Sequence, residues 1–315
     1  MKKLRSLKFH LLKLINSIYV FFHKGKLKNN VIIASSSTWS NKLREDFFLK
    51  DALNKEGINA KIMPWEDLSS LTDETILIKS TWGFHKKLST WNKWLDYLEK
   101  NKINVLNPLS IIKDNFDKEK QFTILDKHNI KHIDTLFIMN DETSLNKIEG
   151  FLKKYQTIVL KPAISESGYN TYKVSSKKEL EECLPKFKHE KILVQPYIKD
   201  IDKGEYSLIY IDNKLVNVVL KYNDVFMNSN SVKYIEKEEI PKEVLSLATN
   251  THKISNYKDY LFMRIDIIKN ESNYEIMEVE LLDPNLYLNY IPDKKQRKEV
   301  YQYFAQSIKK RITKK

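Results

Sequence analysis

The chain has 315 residues, 42% of them apolar and 30% charged, with a single cysteine and a formal net charge of +13. That apolar share buries a sizeable core, which excludes a disordered or collagen-like chain, and the length suggests about two domains at roughly 150 residues each. The lone Cys183 excludes an internal disulfide framework and a cysteine-based zinc site and fits a reducing compartment. No run of about 18 uncharged apolar residues marks a spanning helix.

In chain order, residues 1–30 come first and hold eight of the thirteen net positive charges without one acid, which leaves +5 for the other 285 residues. So mildly basic a body, with no interleaved basic and aromatic motif outside this leader, argues against a nucleic-acid partner. Leu4, Leu7, Leu11, Leu14, Ile15 and Ile18 recur at helical spacing with lysines opposite, the pattern of a basic amphipathic helix. Residues 1–28 then either make peripheral contact with an anionic membrane surface or pack on the domain or a partner. The expected location is the cytoplasm, with the inner face of the membrane as the alternative.

Strands over 31–34, 60–63, 76–79 and from Val105 to the stop at Asn107-Pro108 alternate with helices over 43–56 and 88–101. This predicts a parallel α/β unit spanning 31–112. Trp39, Trp65, Trp82, Trp91 and Trp94 all fall here and read as core and rim packing. A central unit, 113–190, contains helical segments 117–130 and 177–187 and strands 135–138 and 157–160. The last unit, 191–315, opens with a strand over 192–197. Two hairpins follow, turning at 212–214 and 269–273, and a basic amphipathic helix over 299–315 ends the chain. The fold class is α/β with an α+β C-terminal half.

Chemistry gathers in three places. In the second hairpin, period-two alternation puts Arg264 and Asp266 on one strand face, and Glu278 and Glu280 do likewise on the partner strand. Three carboxylates on one face repel unless a cation joins them, and hard oxygen ligands suit Mg²⁺; solvated strand acids are the alternative. The strand at 157–160 delivers Lys161 and then a loop with Ser165, Ser167 and Gly168. Such a loop either folds over phosphates, with Lys161 supplying charge, or is an ordinary surface turn. No GxxxxGK[ST] or GxGxxG motif is present. Gln195, Tyr197 and Ile198 end an apolar strand suited to an adenine edge, with Glu205 next to accept from ribose hydroxyls. His10, His23, His85, His128, His132, His189 and His252 show no metal-ligand spacing and read as surface or packing residues.

In this order the motifs resemble the ATP-grasp superfamily over about residues 31–290. The wording is similar to the ligases of the D-cycloserine-biosynthesis and glutathione-synthetase type: Lys79-Ser-Thr-Trp82-Gly83-Phe84, Asn107-Pro108, Asn115-Phe-Asp-Lys118 and Glu278-Val-Glu280-Leu-Leu-Asp-Pro284-Asn285-Leu286. The resemblance implies an ATP-grasp fold behind an N-terminal parallel α/β domain, and an ATP-dependent ligase that joins a small carboxylate to an amine through an acyl phosphate. It implies ATP and Mg²⁺, with Mn²⁺ the alternative ion. Lys118 and Lys161 would hold phosphates under Ser165, Ser167 and Gly168. Gln195 and the backbone of Tyr197 and Ile198 would hold adenine, and Glu205 the ribose. Asp266, Glu278 and Glu280 would bind magnesium, with Arg264 and Lys221 acting on the transferring phosphoryl group. Gly83 and Phe84 depart from an expected Asp and Tyr, and an arginine expected near position 227 is missing, its task falling to Lys221, Arg264 or Lys233. Such ligases are often homo-oligomers. A kinase acting on a hydroxyl and a non-catalytic nucleotide-binding protein are the competing readings.

Overall fold

Residues 31–34 and 76–78 are apolar at every position, as parallel strands covered on both faces require, and all are buried. The computed structural model describes residues 28–141, 143–166, 168–188, 190–224 and 229–313. Its first unit runs β1 (Lys28–Ser35), α1 (Arg44–Lys55), β2 (Ile58–Pro64), β3 (Thr75–Ser80), α2 (Leu88–Lys100) and β4 (Asn104–Leu106). The strands form one parallel sheet in the order β2-β1-β3-β4. On one face, Trp65, Trp91 and Trp94 pack together beneath α2 with Phe84. Trp39 and Trp82 instead meet edge to face at the rim, with Trp39 39% exposed, so the expected division into core and rim holds.

The chain continues through α3 (Leu109–Asn115) and α4 (Lys118–Lys127), the latter capped by Asp117, whose carboxylate accepts the Glu119 N–H. Next come β5 (Leu136–Met139), α5 (Ser144–Tyr155), β6 (Ile158–Pro162), β7 (Tyr172–Val174), α6 (Lys177–Cys183) and β8 (Lys191–Pro196). These strands form an antiparallel sheet in the order β5-β8-β6-β7. The expected helix over 177–187 is shorter than its periodicity suggests. Pro185 enters after Cys183, and the last turn tightens to a 3₁₀ helix over Leu184–Phe187.

A second antiparallel sheet, ordered β11-β10-β9-β12-β13, comprises β9 (Glu205–Ile211), β10 (Lys214–Asp224), β11 (Ser229–Tyr234), β12 (Phe262–Asn270) and β13 (Asn273–Glu280). Helix α7 (Lys242–His252) packs on it, and α8 (Lys294–Ile312) closes the chain. Helix α8 starts before the expected residue 299, because Asp293 caps it by accepting the Gln296 N–H at 2.6 Å. Phe304, Ala305 and Ile308 of α8 share a core with Val31, Ile33 and Leu53 of the first unit, so the end of the chain covers the sheet with which it begins. Among the described residues no helix is long and apolar enough to cross a membrane. The expected leader helix lies outside the described residues up to residue 27, while Lys28 begins β1; the missing arginine near position 227 also lies outside them.

Candidate active site

The face of the five-stranded sheet that carries the acids is built by local alternation and by register. Asp266 on β12 lies opposite Glu278 on β13 and Ser207 on β9, and Arg264 lies opposite Glu280. Lys221 of β10 stands beside Glu205 at the start of β9. The side chains form an alternating chain of charge: Glu205 to Lys221 at 3.1 Å, Lys221 to Asp266 at 2.9 Å, Asp266 to the Arg264 Nε at 3.0 Å, Arg264 to Glu278 at 3.6 Å, and Glu278 to Lys118 at 3.2 Å. Each acid thus has a cationic neighbour from the chain itself, so groups of the protein offset their mutual repulsion.

Asp266 is enclosed. The Arg264 Nε donates to both carboxylate oxygens at 3.0 Å, Lys221 donates at 2.9 Å and the Ser207 hydroxyl at 2.5 Å. Burial alone would raise this carboxyl, but Arg264 and Lys221 hold it down to about 2. Glu278 is likewise held below the carboxylate range by Lys118 and Arg264 against its burial. Glu280 behaves in the opposite way: burial and the neighbouring Glu278 push it up to about 7, and its carboxylate accepts a hydrogen bond from the Leu282 N–H at 3.2 Å. Glu278 and Glu280 therefore retain lone pairs for a divalent cation, which favours magnesium held by one or two carboxylates plus phosphate oxygens. Asp266 reaches such an ion only by giving up one of its three donors. Among the described residues no three acidic, histidine or cysteine side chains already form a metal-holding cluster.

Lys118 sits at the first turn of α4, its ammonium donating to the Ser165 carbonyl at 2.9 Å while pairing with Glu278. Burial would lower it, yet Glu278 and Glu280 hold it above its ordinary value. Lys161 on β6 is held below its ordinary value by burial and by the charge of Lys118. Lys161 shares a sheet face with Gln195, since β6 and β8 pair Val159 with Gln195 and Lys161 with Leu193. The buried Gln195 amide donates to Thr135 at 3.0 Å. At Tyr197 the backbone N–H is taken up by the Thr157 carbonyl at 3.0 Å. The Ile198 carbonyl accepts from Ile201 at 3.3 Å. In the covering loop the Ser165 hydroxyl turns back to the Pro162 carbonyl at 2.9 Å. Gly168 takes a φ of +71°, a conformation that suits glycine. Ser167 lies outside the described residues. Lys233 is exposed on β11, so of the three residues expected to take over the missing arginine's task only Lys221 and Arg264 stand at the acid face.

Several site residues escape a reading of the sequence. Asn115 donates to the Val279 carbonyl at 2.6 Å and accepts from the Leu281 N–H at 2.7 Å, and Gln121 accepts the Val279 N–H at 2.9 Å. These two side chains clamp the outer edge of β13 at the residue between Glu278 and Glu280. Asn107 ties β12 to the end of β13 in the same manner, donating to Phe262 at 2.8 Å and Leu281 at 2.7 Å. Asn107 and Asn115 stand within the quoted motifs, but nothing local reveals their partners about 160 residues away. Glu166, in the covering loop, accepts the Gly83 N–H at 2.7 Å, and Gly83 takes a φ of +98°, which accounts for glycine where an acid was expected.

Comparison with known proteins agrees with this geometry. Residues 130–290 match the sequence profile described as prokaryotic glutathione synthetase, ATP-grasp domain, and residues 31–107 match that of the N-terminal domain of the D-cycloserine synthetase DcsG. Among solved structures, D-cycloserine synthetase DcsG superposes with a TM-score of 0.74 at 17% identity, over 90% of this chain and 100% of that one. D-alanyl-alanine synthetase A of Vibrio cholerae gives 0.64 at 12% identity, over 91% and 99%. The ATP-grasp ligase PsnB, solved with a minimal precursor, Mg and ADP, gives 0.59 at 13% identity, over 89% and 98%. At these identities the likeness is one of fold. Cytadherence high molecular weight protein 2 of Mycoplasmoides gallisepticum is 20% identical over 202 residues, 64% of this chain but only 9% of that protein's length.

Proposed function

The chain belongs to the ATP-grasp superfamily, through the prokaryotic glutathione synthetase ATP-grasp domain that spans just over half of it, and from that premise we propose that it is an ATP-dependent ligase joining a small carboxylic acid to an amine. The observation that carries this reading is the meeting of Lys118, Glu278 and Arg264, with Lys118 also bonded to the loop that follows Lys161 and the end of β6. Lysines on phosphate oxygens and carboxylates on a metal are the parts a phosphoryl transfer needs, because its catalysis is mostly positioning and electrostatic stabilisation.

Lys118 and Lys161 would hold the β- and γ-phosphates, with Lys118 exchanging Glu278 for phosphate as the nucleotide enters. Gln195, Tyr197 and Ile198 would border the adenine, and Glu205 the ribose. Bound by Glu278 and Glu280, with Asp266 beside them, Mg²⁺ or Mn²⁺ would neutralise the phosphate oxygens. Arg264, fixed by Asp266 and Glu278, is placed to stabilise charge on the transferring group, and Lys221 holds Asp266 in position. A substrate carboxylate taking the γ-phosphoryl group gives an acyl phosphate. The loop over 164–170 excludes water until an amine displaces phosphate and forms the amide. The carboxylate and the amine are small-molecule partners.

A phosphate-release screen of amino acids and sugar acids, each paired with amines, tests the proposal. Release that requires both an acid and an amine, and disappears in Lys161→Ala and Glu278→Ala while the fold persists, is the expected result. Release unchanged in those variants removes the assignment. ADP formation that is independent of an amine and yields a phosphorylated product identifies a kinase instead.

A further inference from the structure

In an open parallel sheet, ligands bind in the crevice at the carboxyl ends of the strands. At that end of β3 the chain leaves as Thr81, Trp82 and Gly83 and enters a short 3₁₀ helix, Phe84–Lys87. Two other segments converge there. The residues after β13 bring Asp283, whose carboxylate accepts the Thr81 hydroxyl at 2.6 Å and whose carbonyl accepts the Trp82 indole N–H at 3.0 Å. The loop after β6 brings Glu166, which accepts the Gly83 N–H at 2.7 Å and stands 3.3 Å from the His85 Nδ1.

The His85 side chain is only 7% exposed, and Tyr169 lies against it at 4.9 Å between ring centroids. Neither ring nitrogen makes a hydrogen bond among the described residues, and neither does Oε1 of Glu166. A buried imidazole with both nitrogens unsatisfied is costly unless something else supplies partners. The surroundings indicate the charge of that partner. Glu166 and Asp283 both bond to the chain at the exit of β3, so carboxyl groups stand on the wall beside His85. Of the cations nearby, Lys79 donates to the Pro284 carbonyl at 3.3 Å, Lys118 pairs with Glu278 at 3.2 Å, and Lys86 lies over the Tyr169 ring at 5.5 Å. Such a wall repels a carboxylate and attracts an ammonium.

We propose that His85, held against Glu166 at the exit of β3, receives the amine substrate and removes its proton. This rests on the ligase reading. Glu166 draws the ammonium in, and an imidazole nitrogen takes one proton to free the amine lone pair. That lone pair attacks the acyl carbon, a C–N bond forms, and the C–O bond to phosphate breaks. Phosphate leaves with the electron pair and carries the second N–H proton as hydrogen phosphate.

Hydroxylamine separates the two half-reactions, because it is largely unprotonated at neutral pH and captures an acyl phosphate as a hydroxamate without a base. The acids of the phosphate-release screen, incubated with ATP and either hydroxylamine or the amine panel, are compared in the wild type, His85→Gln and His85→Asn. Amide formation is expected to fall by about 100-fold or more, the usual contribution of a general base, while hydroxamate falls less than about threefold. The amide deficit should shrink from pH 7 to pH 9 as free amine accumulates. Equal loss of both products at every pH makes His85 a packing residue and overturns the proposal. Wild-type hydroxamate without amide from any amine overturns the amine assignment alone. No wild-type hydroxamate from any acid refutes the ligase reading, and this inference goes with it.

Discussion

Replacing Asn115 by alanine tests whether the metal-facing strand is held from outside. Strand β13 is the last strand of its sheet, so the outward N–H and C=O groups of Val279 have no strand partner, and Asn115 and Gln121 satisfy them. Asn115→Ala removes bonds of 2.6 and 2.7 Å and orphans the Val279 carbonyl and the Leu281 N–H, where Asn115 is 4% exposed and Val279 and Leu281 are 0%. At about 1–3 kcal/mol for each of the two orphaned buried groups, the expected loss is about 2–6 kcal/mol. Gln121→Ala, which removes one bond to the strand, should cost about 1 kcal/mol. Urea unfolding with an unchanged m-value measures both, and Mg²⁺ titration of the ATP-loaded protein should show affinity roughly tenfold weaker in Asn115→Ala, as when an outer partner of a metal ligand is removed. A stability loss below about 0.5 kcal/mol with unaltered Mg²⁺ dependence would refute the clamp.

Lys221 is 5% exposed and pairs with both Glu205 and Asp266, so Lys221→Met leaves buried Glu205 without its ion pair and Asp266 with Arg264 alone, and should cost about 3–5 kcal/mol by chemical denaturation. Glu280 has its folded pKa raised to about 7 from 4.5, so its contribution to stability declines as pH rises above about 4.5 and levels off above 7. Glu280→Gln should therefore stabilise the metal-free protein at pH 8 by about 1–2 kcal/mol, discounted for solvent screening, and do nothing at pH 4, which melting curves at the two pH values will show. Gly83 holds a φ of +98° in open space, so Gly83→Ala should cost about 1–2 kcal/mol through backbone strain alone, and a melting temperature equal to the wild type's would contradict that.

The architecture of the first unit was legible because its signals are local. Continuous apolar runs such as 31–34 mark covered parallel strands, and the α2 stripe of Trp91, Trp94, Leu95 and Leu98 marks a buried helix face. Elements with weak local contrast were not read. Helix α5 carries Gly150 in its middle, α7 buries only Val244, Ala248, Thr251 and His252, and β7 is three residues long.

The same division governs the site. Strand alternation alone puts Arg264 with Asp266 and Glu278 with Glu280, because a period of two is a property of the backbone and needs no partner. Only the tertiary structure decided that Lys118 meets Glu278, that Asn115 and Gln121 edge β13, that Glu166 reaches Gly83 and His85, and that α8 covers the opening sheet. Sequence analysis assigned His85 to surface or packing, since a lone histidine has no local spacing to betray it. Its position beside Glu166 depends on two loops from different sheets meeting. Periodicity specifies which face a side chain occupies, whereas the identity of the group across the gap follows from how the faces pack.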